Sequence, residues 1–301
     1  MNAADVTKVH AARPGTRPLT AETMWRVPRV GGPVPSPDGT CAAVAVVVHD
    51  LATNRSRGRL WLVSADGGDP RPLTAPDLDA REPAWSPDGR RIAFLRKGPE
   101  KDAQAQLFVL SLDGQEPERL TDLPLGVFDP TWTPDGGAIV FAAKLLRDHL
   151  TPEATRAEIA RRKDGPPRPH ATEDRVFRYW DTWLVDGEVP HLFRLDLATR
   201  EVRDLTPASL LWFDWNSLAS QYDLSPDGST LAFAGIYWDA DRRLLRTGIF
   251  VVPATARCGS RPRPAGAGRS SAGTGNARCP PRSSAAARSP APCRRRTARS
   301  G

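Results

Sequence analysis

Short apolar runs alternate with polar turns along the first 253 residues, and the alternation repeats. Each repeat opens on Ser/Thr-Pro-Asp-Gly and continues into an apolar run that contains Trp or Phe, and the first three close on Leu-Thr. Short runs rich in β-branched and aromatic residues, bounded by turn residues, predict strands. The tetrapeptides stand at 36–39, 86–89, 133–136 and 225–228; the aromatic runs at 60–63, 107–110, 192–195 and 249–252; and Leu-Thr at 73–74, 120–121 and 205–206.

The tetrapeptide has the chemistry of a tight turn, because proline presets φ at its second position and glycine accepts a positive φ. With strands on either side, each repeat predicts four antiparallel strands. A four-stranded unit of about 45 residues is typical of a β-propeller blade. The predicted fold is therefore all-β, a partial propeller of three to four blades, with a generic β-sandwich as the alternative. The blades are predicted at about 34–75, 83–122, 130–207 and 222–253.

The third repeat is longer than the others, which predicts an insertion at about 144–183. Within it, 151–165 has the pattern of a helix: Thr151 as N-cap, Pro152 at the first helical position, and basic residues in the last turn before Gly165. A second short helix is predicted at 20–27, inside an N-terminal extension that covers residues 1–33.

The formal charge of +7 is unevenly spread. Residues 254–301 contain 11 Arg and no Lys, Asp or Glu, so residues 1–253 carry +7 − 11 = −4. The same 48 residues lack Leu, Ile, Val, Phe, Trp and Tyr. Such a segment cannot bury enough apolar surface to offset the entropy of ordering, so a disordered tail is predicted. An out-of-frame reading of a G/C-rich gene explains its composition; a natural basic tail is the alternative.

Several function classes lack their sequence signals. No G-x-S-x-G elbow, nucleotide-binding glycine loop or HExxH is present, and the nearest decoy, GRSSAG (268–273), lies in the tail. No CxxC spacing or His/Cys cluster suggests a metal, so no cofactor is expected. The arginine-rich tail alone does not favour a nucleic-acid partner, since no folded reader accompanies it. The longest apolar run, 41–48, is too short to span a bilayer, so no membrane partner is expected and a cytoplasmic location is the default.

Two stretches carry a family resemblance. "LTAETMWRVPRVGGPVPSPDGT" (19–40) and "HATEDRVFRYWDTWLVDGEVPHLFRLDLAT" (170–199) resemble the start and the third blade of the N-terminal propeller of the prolyl oligopeptidase family of serine peptidases, acylaminoacyl-peptidase-like and dipeptidyl-peptidase-like members included. The repeats alone are also similar to TolB-like proteins. The resemblance implies a propeller that restricts entry to small peptides and caps an α/β-hydrolase domain, which carries the catalytic Ser, Asp and His.

The resemblance also suggests a site. In dipeptidyl-peptidase-like relatives, acidic residues of a propeller insertion capture the amino terminus of the substrate, and carboxylates suit an ammonium group. The candidate substrate-binding residues here are Glu173, Asp174, Arg175, Tyr179, Trp180 and Asp181. The alternative is that they form a solvated turn and pack the insertion against its blade. The pair of acids does not align residue by residue with the relatives' motif.

The functional prediction is a substrate-gating propeller fragment of such a peptidase, truncated before its hydrolase domain. Its partners would be the missing hydrolase domain and, through the full-length enzyme, a peptide substrate. With no catalytic triad in the sequence, the chain alone is expected to be inactive. A TolB-like protein-interaction module is the alternative. Fewer blades than a closed ring needs also predict marginal stability or self-association.

Overall fold

The computed structural model describes residues 20–100, 102–114, 116–166, 177–180, 182–184, 187–214, 217–238, 244–255 and 263–264. By its internal contacts the chain divides into Met1–Gly266 and Ala267–Gly301, and all of the described residues belong to the first unit. The predicted disordered tail thus lies almost entirely outside the described residues.

Strands dominate the described residues, with two short helices. In chain order the elements are α1 (Ala21–Arg26), β1 (Arg29–Val30), β2 (Val34–Pro35), β3 (Cys41–Asp50), β4 (Arg55–Ser64), β5 (Arg71–Pro72), β6 (Asp79–Trp85), β7 (Arg91–Lys97), β8 (Gln106–Ser111), β9 (Glu118–Arg119), β10 (Val127–Trp132), β11 (Ala138–Leu146), α2 (Pro152–Asp164), β12 (Arg178–Tyr179), β13 (Thr182–Trp183), β14 (Glu188–Asp196), β15 (Val202–Asp204), β16 (Tyr222–Leu224), β17 (Thr230–Trp238), β18 (Leu245–Pro253) and β19 (Arg263–Pro264).

Four antiparallel sheets follow one another along the chain, as the repeats predicted. The strand orders are β6-β7-β8-β9, β10-β11-β14-β15 and β16-β17-β18-β19, while in the first sheet β1 and β2 share the position beside β3 in the order β1-β3-β4-β5. These sheets are blades one to four, and each is a meander whose first strand is its inner strand. The fold is a partial β-propeller with a helical insertion in blade three, and the β-sandwich alternative is not observed.

The tetrapeptide repeat is the turn from the first to the second strand of each blade. In blade two, the Ser86 hydroxyl accepts a hydrogen bond from the Arg91 amide at 2.9 Å and donates to Asp88, while Gly89 has φ of +67°. The hydroxyl bond lowers the pKa of the Asp88 carboxyl. The same bonds recur around Asp38, Asp135 and Asp227, so the side chains of the motif close the turn as well as its backbone.

The Leu-Thr repeat fastens the outer strand of a blade. In blade two, the Leu120 amide donates to the Leu107 carbonyl at 2.8 Å, and the Leu107 amide donates to the Thr121 hydroxyl at 2.9 Å. Blades one and three repeat both bonds at Leu60 and Leu192. The threonine hydroxyl thus replaces a backbone acceptor, which lets the outer strand be two or three residues long.

Apolar side chains fill the three junctions between consecutive blades. The indole of Trp85 donates to the Val34 carbonyl of blade one at 2.9 Å, and Trp132 makes the same bond to Ala84 of blade two at 3.0 Å. Blade four has Leu224 at this position. The junction cores centre on Phe94 and Phe108 (blades one and two), Phe141 and Phe193 (two and three), and Phe233 and Phe250 (three and four).

Some boundaries differ from the predicted ones. The inner strand of blade two starts at Asp79 rather than 83, because a bulge lets the strand run past Pro83. The strands that flank the insertion leave 147–187 between them, a few residues later than the predicted 144–183, because β11 extends to Leu146 and β14 begins at Glu188. In blade four, β19 pairs with β18 beyond the predicted end at residue 253. Both predicted helices are present, and Thr151 caps the second as predicted, its hydroxyl accepting from the Ala154 amide. In the first helix the Thr20 hydroxyl accepts from the Thr23 amide.

Candidate functional site

Thr155 fastens the insertion of blade three to its blade. Thr155 is fully buried in α2; its hydroxyl accepts a hydrogen bond from the Leu146 amide at 3.0 Å and donates to the His149 carbonyl at 2.6 Å. On the outside of the helix, the Arg156 guanidinium forms an ion pair of 3.0 Å with Asp122 of blade two. The helix therefore bridges two neighbouring blades.

Glu158 organises the last turns of α2. Its carboxylate receives hydrogen bonds from Arg161 at 2.6 Å and from Arg162 at 2.8 Å, at the favourable i+3 and i+4 spacings. These bonds, that of Arg161 first, lower the pKa of Glu158 to about 2. The carboxylate is buried, and these hydrogen bonds stabilise its ionised form.

A short hairpin follows the helix. Strands β12 and β13 pair, and the Leu184 amide donates to the Phe177 carbonyl at 2.9 Å. Trp180 lies at the tip with φ of +52° and 78% of its surface exposed, whereas Tyr179 is half-buried. An exposed indole on a supported hairpin can stack on or cover an apolar ligand group.

Two of the six predicted site residues are thus placed, Tyr179 and Trp180, and they are neighbours on this hairpin. The other four, Glu173, Asp174, Arg175 and Asp181, lie outside the described residues. Their role in capturing an amino terminus stays a prediction.

A second feature lies where the inner strands of blades one to three meet. A cavity of about 500 Å³ opens there, and Arg29, Arg81, Glu82 and Asp129 supply its charged lining. Glycine takes the corresponding place on blade one, at Gly31 and Gly32. Cations and anions from neighbouring blades therefore face one space.

Glu82 and Asp129 form a ladder across the blades. The Asp129 amide of blade three donates to Oε2 of Glu82 of blade two at 3.1 Å, and the Ser220 amide, just before blade four, donates to Oδ2 of Asp129 at 2.6 Å. All three residues have a positive φ, of 51°, 52° and 59°. At Glu82 and Asp129 the positive φ belongs to a bulge. At Asp129 the bulge turns the amide towards the preceding blade.

Burial raises the pKa of the ionisable groups at the ladder. Burial is the main cause that raises the pKa of Glu82, and the charge of Asp129 adds to it; burial also raises the pKa of Asp129. Tyr222 lies beside them, donates to the Val140 carbonyl at 3.1 Å, and has its pKa raised by burial. The hydrogen bonds from the Asp129 and Ser220 amides oppose this rise in the pKa of Glu82 and of Asp129.

The sequence carried a signal for this ladder that residue-type reasoning missed. Glu-Pro-x-Trp at 82–85 and Asp-Pro-x-Trp at 129–132 are the same motif displaced by 47 residues. The acid, the proline of the bulge and the indole that bonds the preceding blade thus recur in phase. The carboxylates suit an ammonium group and Arg29 suits a carboxylate, whereas Arg81 is paired with Asp79 at 2.8 Å.

Within the described residues, no group of three or more His, Cys, Asp and Glu side chains could hold a metal ion. None of the helices described has both the length and the apolar character needed to cross a membrane.

Two sequence relatives carry the name dipeptidyl-peptidase 5. That of Porphyromonas gingivalis is 38% identical over 77 residues, which are 26% of this chain and 11% of the relative. That of Porphyromonas endodontalis is 27% identical over 221 residues, which are 72% of this chain and 30% of the relative. No protein-family model matches the chain. The chain spans less than a third of the length of these relatives.

Among solved structures, acylaminoacyl peptidase of Pyrococcus horikoshii, in an orthorhombic crystal form, matches with a TM-score of 0.53 and 15% sequence identity. The match covers 76% of this chain and 31% of that one. The likeness shows the fold and agrees with the succession of four-stranded sheets.

The fold is a series of propeller blades, and the sequence relatives are peptidases. Together they define the class of protein as a propeller related to peptidases. The sequence relatives and the fold support the predicted resemblance to the propeller part of a prolyl oligopeptidase-family peptidase.

Proposed function

We propose that the chain is the substrate-gating propeller of a serine peptidase and works with an α/β-hydrolase domain that performs the hydrolysis. One observation carries the proposal: a relative named dipeptidyl-peptidase 5 matches 221 residues, which are 72% of the chain. The hydrolase partner is part of the proposal, because the fold by itself defines only the propeller.

The cavity between the inner strands supports a role with short peptides. A free peptide carries an ammonium group at one end and a carboxylate at the other. Glu82 and Asp129 would accept from the ammonium, while Arg29 would bind the carboxylate. Arg81 is already paired with Asp79 at 2.8 Å. Desolvation of the cavity lining strengthens such charge-assisted bonds relative to bulk water.

The proposal is tested by binding of the dipeptide Gly-Phe and of its N-acetylated form to the 301-residue chain, measured by calorimetry. Free Gly-Phe is expected to bind at least about tenfold more tightly, since each charge-assisted bond contributes about 1.5–3 kcal/mol. Glu82→Gln should remove most of that preference. Glu201→Gln is the matched control, because Glu201 pairs with Arg203 on the outer strand of blade three.

A hydrolysis assay distinguishes the proposed binding role of the propeller from the catalytic role of the proposed hydrolase domain. The chain alone is expected to release no p-nitroaniline from a dipeptide p-nitroanilide. Binding that ignores acetylation, or no binding at all, would contradict substrate gating at this cavity and favour the alternative of a TolB-like interaction module.

A further inference from the structure

Tyr222 departs from the pattern of the repeat. Three residues before the Ser or Thr of the turn, blades one to three have a proline, whereas blade four has Tyr222; the prolines are Pro33, Pro83 and Pro130. Proline has no hydrogen-bond donor, and tyrosine brings a hydroxyl to the same place on the inner strand. This position therefore supplies a donor at the junction of blades three and four that it does not supply at the other two junctions.

The Tyr222 hydroxyl lies where a bulge interrupts the pairing of β10 with β11. The register of that pair shifts between Phe128 and Thr131. The hydroxyl proton is shared between two carbonyls at this point, that of Asp129 and, at 3.1 Å, that of Val140. Because a bulge leaves its extra residue without regular ladder bonds, a donor from the next blade stabilises it.

Asp129 is held at its amide, its carbonyl and its carboxylate. The amide donates to Glu82 of blade two at 3.1 Å. The carbonyl accepts from Tyr222, and the carboxylate accepts from the Ser220 amide at 2.6 Å. A φ of +52° is unfavourable for a residue with a Cβ, and such a backbone persists only where its surroundings fix it. The short segment 220–222 therefore fixes both the backbone of Asp129 and the direction of its carboxylate.

Glu82 is the counterpart of Asp129 in blade two, and it lacks this tie. Its bulge has the same positive φ, of 51°. In the following blade, however, the residue at the position of Tyr222 is Pro130, which offers no donor to the Glu82 carbonyl. The two acids of the cavity therefore differ, since a side chain of the following blade fixes only the backbone of Asp129.

We propose that Tyr222 is a positioning residue of the peptide site: its hydroxyl holds the bulge that presents the Asp129 carboxylate to the amino terminus of a peptide. This inference rests on the proposed function, in which Glu82 and Asp129 accept from the ammonium group. Tyr222 is not among the described residues that line the cavity, so it acts through Asp129. A carboxylate that is already fixed in the empty site loses little conformational freedom on binding, which strengthens its bond to the ammonium.

The proposal is tested with Tyr222→Phe, which keeps the ring and removes the hydroxyl. Calorimetry measures the binding of Gly-Phe and of its N-acetylated form to the 301-residue chain. The preference for free Gly-Phe is expected to fall about threefold or more, while the affinity for the acetylated form stays within about twofold. Tyr237→Phe, on β17 of the same blade, is the matched control and should keep the wild-type preference. A tyrosine that only supports the fold would weaken the binding of both forms alike.

A second measurement does not depend on peptide binding. Carbon-detected NMR titration of the ligand-free chain follows the Asp129 carboxyl, whose pKa is raised by burial. Without the Tyr222 hydroxyl, the carboxylate should turn partly into water, so its titration midpoint should fall towards the ordinary range. The midpoint should be unchanged in Tyr237→Phe.

The outcomes separate this inference from the function on which it rests. A wild type that binds free and acetylated Gly-Phe equally contradicts the peptide site, and the inference with it. If the wild type prefers the free peptide and Tyr222→Phe prefers it as strongly, the peptide site stands and the positioning role is overturned. An Asp129 midpoint that is the same in wild type and Tyr222→Phe also overturns the positioning role.

Discussion

The backbone amide of Asp129 donates a hydrogen bond of 3.1 Å to the carboxylate of Glu82, 47 residues earlier and in the preceding blade. Asp129 in turn receives the amide of Ser220. The bulge that turns the Asp129 amide towards the preceding blade is thus matched by an acid, Glu82, that accepts from it. Besides fixing neighbouring blades, this arrangement leaves two carboxylates beside a cavity that also contains arginines.

Replacing Glu82 by glutamine should stabilise the fold more at pH 7 than at pH 4. The pKa of Glu82 is raised, so its carboxyl favours the folded state below its unfolded pKa, and that contribution is lost as pH rises through the folded pKa. Glutamine keeps an acceptor oxygen without the charge. Urea unfolding of both chains at the two pH values measures the difference.

Glu201→Gln should show no such trend. If the effect of Glu82→Gln is the same at both pH values, the raised pKa of Glu82 is contradicted.

Removing the Ser225 hydroxyl should raise the pKa of Asp227. That pKa is about 2, lowered first by the hydrogen bond from Ser225 and then by the amide of Ser229. Ser225→Ala removes the larger cause, so the carboxyl should titrate closer to its ordinary range. Carbon-detected NMR titration of the Asp227 carboxyl checks this, with Ser217→Ala as control. An unchanged midpoint would mean that the backbone of the turn suffices.

Acid should loosen the end of α2 before the blades unfold. Glu158 has its pKa lowered to about 2, so its stabilising contribution is present above the unfolded pKa, near 4.5, and is lost as pH falls through about 2. Glu158→Gln should mimic the acid state at neutral pH and speed tryptic cleavage after Arg161 and Arg162. Cleavage rates followed by mass spectrometry test this.

Glu153→Gln, in the first turn of the same helix, is the control for Glu158. Equal cleavage rates in wild type and Glu158→Gln would show that the helix end does not depend on these ion pairs.

Trp132→Phe should cost about 1 kcal/mol of unfolding free energy beyond the change in packing, because the indole bond to the Ala84 carbonyl is lost at a buried junction. Trp25→Phe, on the exposed helix α1, should change stability by less than about 0.5 kcal/mol. Urea denaturation followed by circular dichroism measures both. Similar costs for the two variants would deny the indole bond a role in holding blades together.

The period of the repeats was enough to predict the sheets, since Ser-Pro-Asp-Gly and Leu-Thr act through local bonds that any reader of the sequence can anticipate. The hydrogen bonds of the ladder were harder to predict from the sequence. Glu82 and Asp129 meet only because each bulge gives its acid a positive φ, and composition does not reveal a backbone angle. The insertion was predictable in part. Thr151 and Pro152 predicted its helix, whereas the attachment of that helix through the hydroxyl of Thr155 depends on where β11 ends.

The hydroxyls of Thr74, Thr121 and Thr206 have a consequence for how such a protein can change over evolutionary time. Since one threonine hydroxyl attaches the outer strand in each of blades one to three, the residues around it need not pair through a longer run of backbone hydrogen bonds. Related proteins can therefore acquire new charges or longer loops on the outer rim while the spacing of the blades is unchanged.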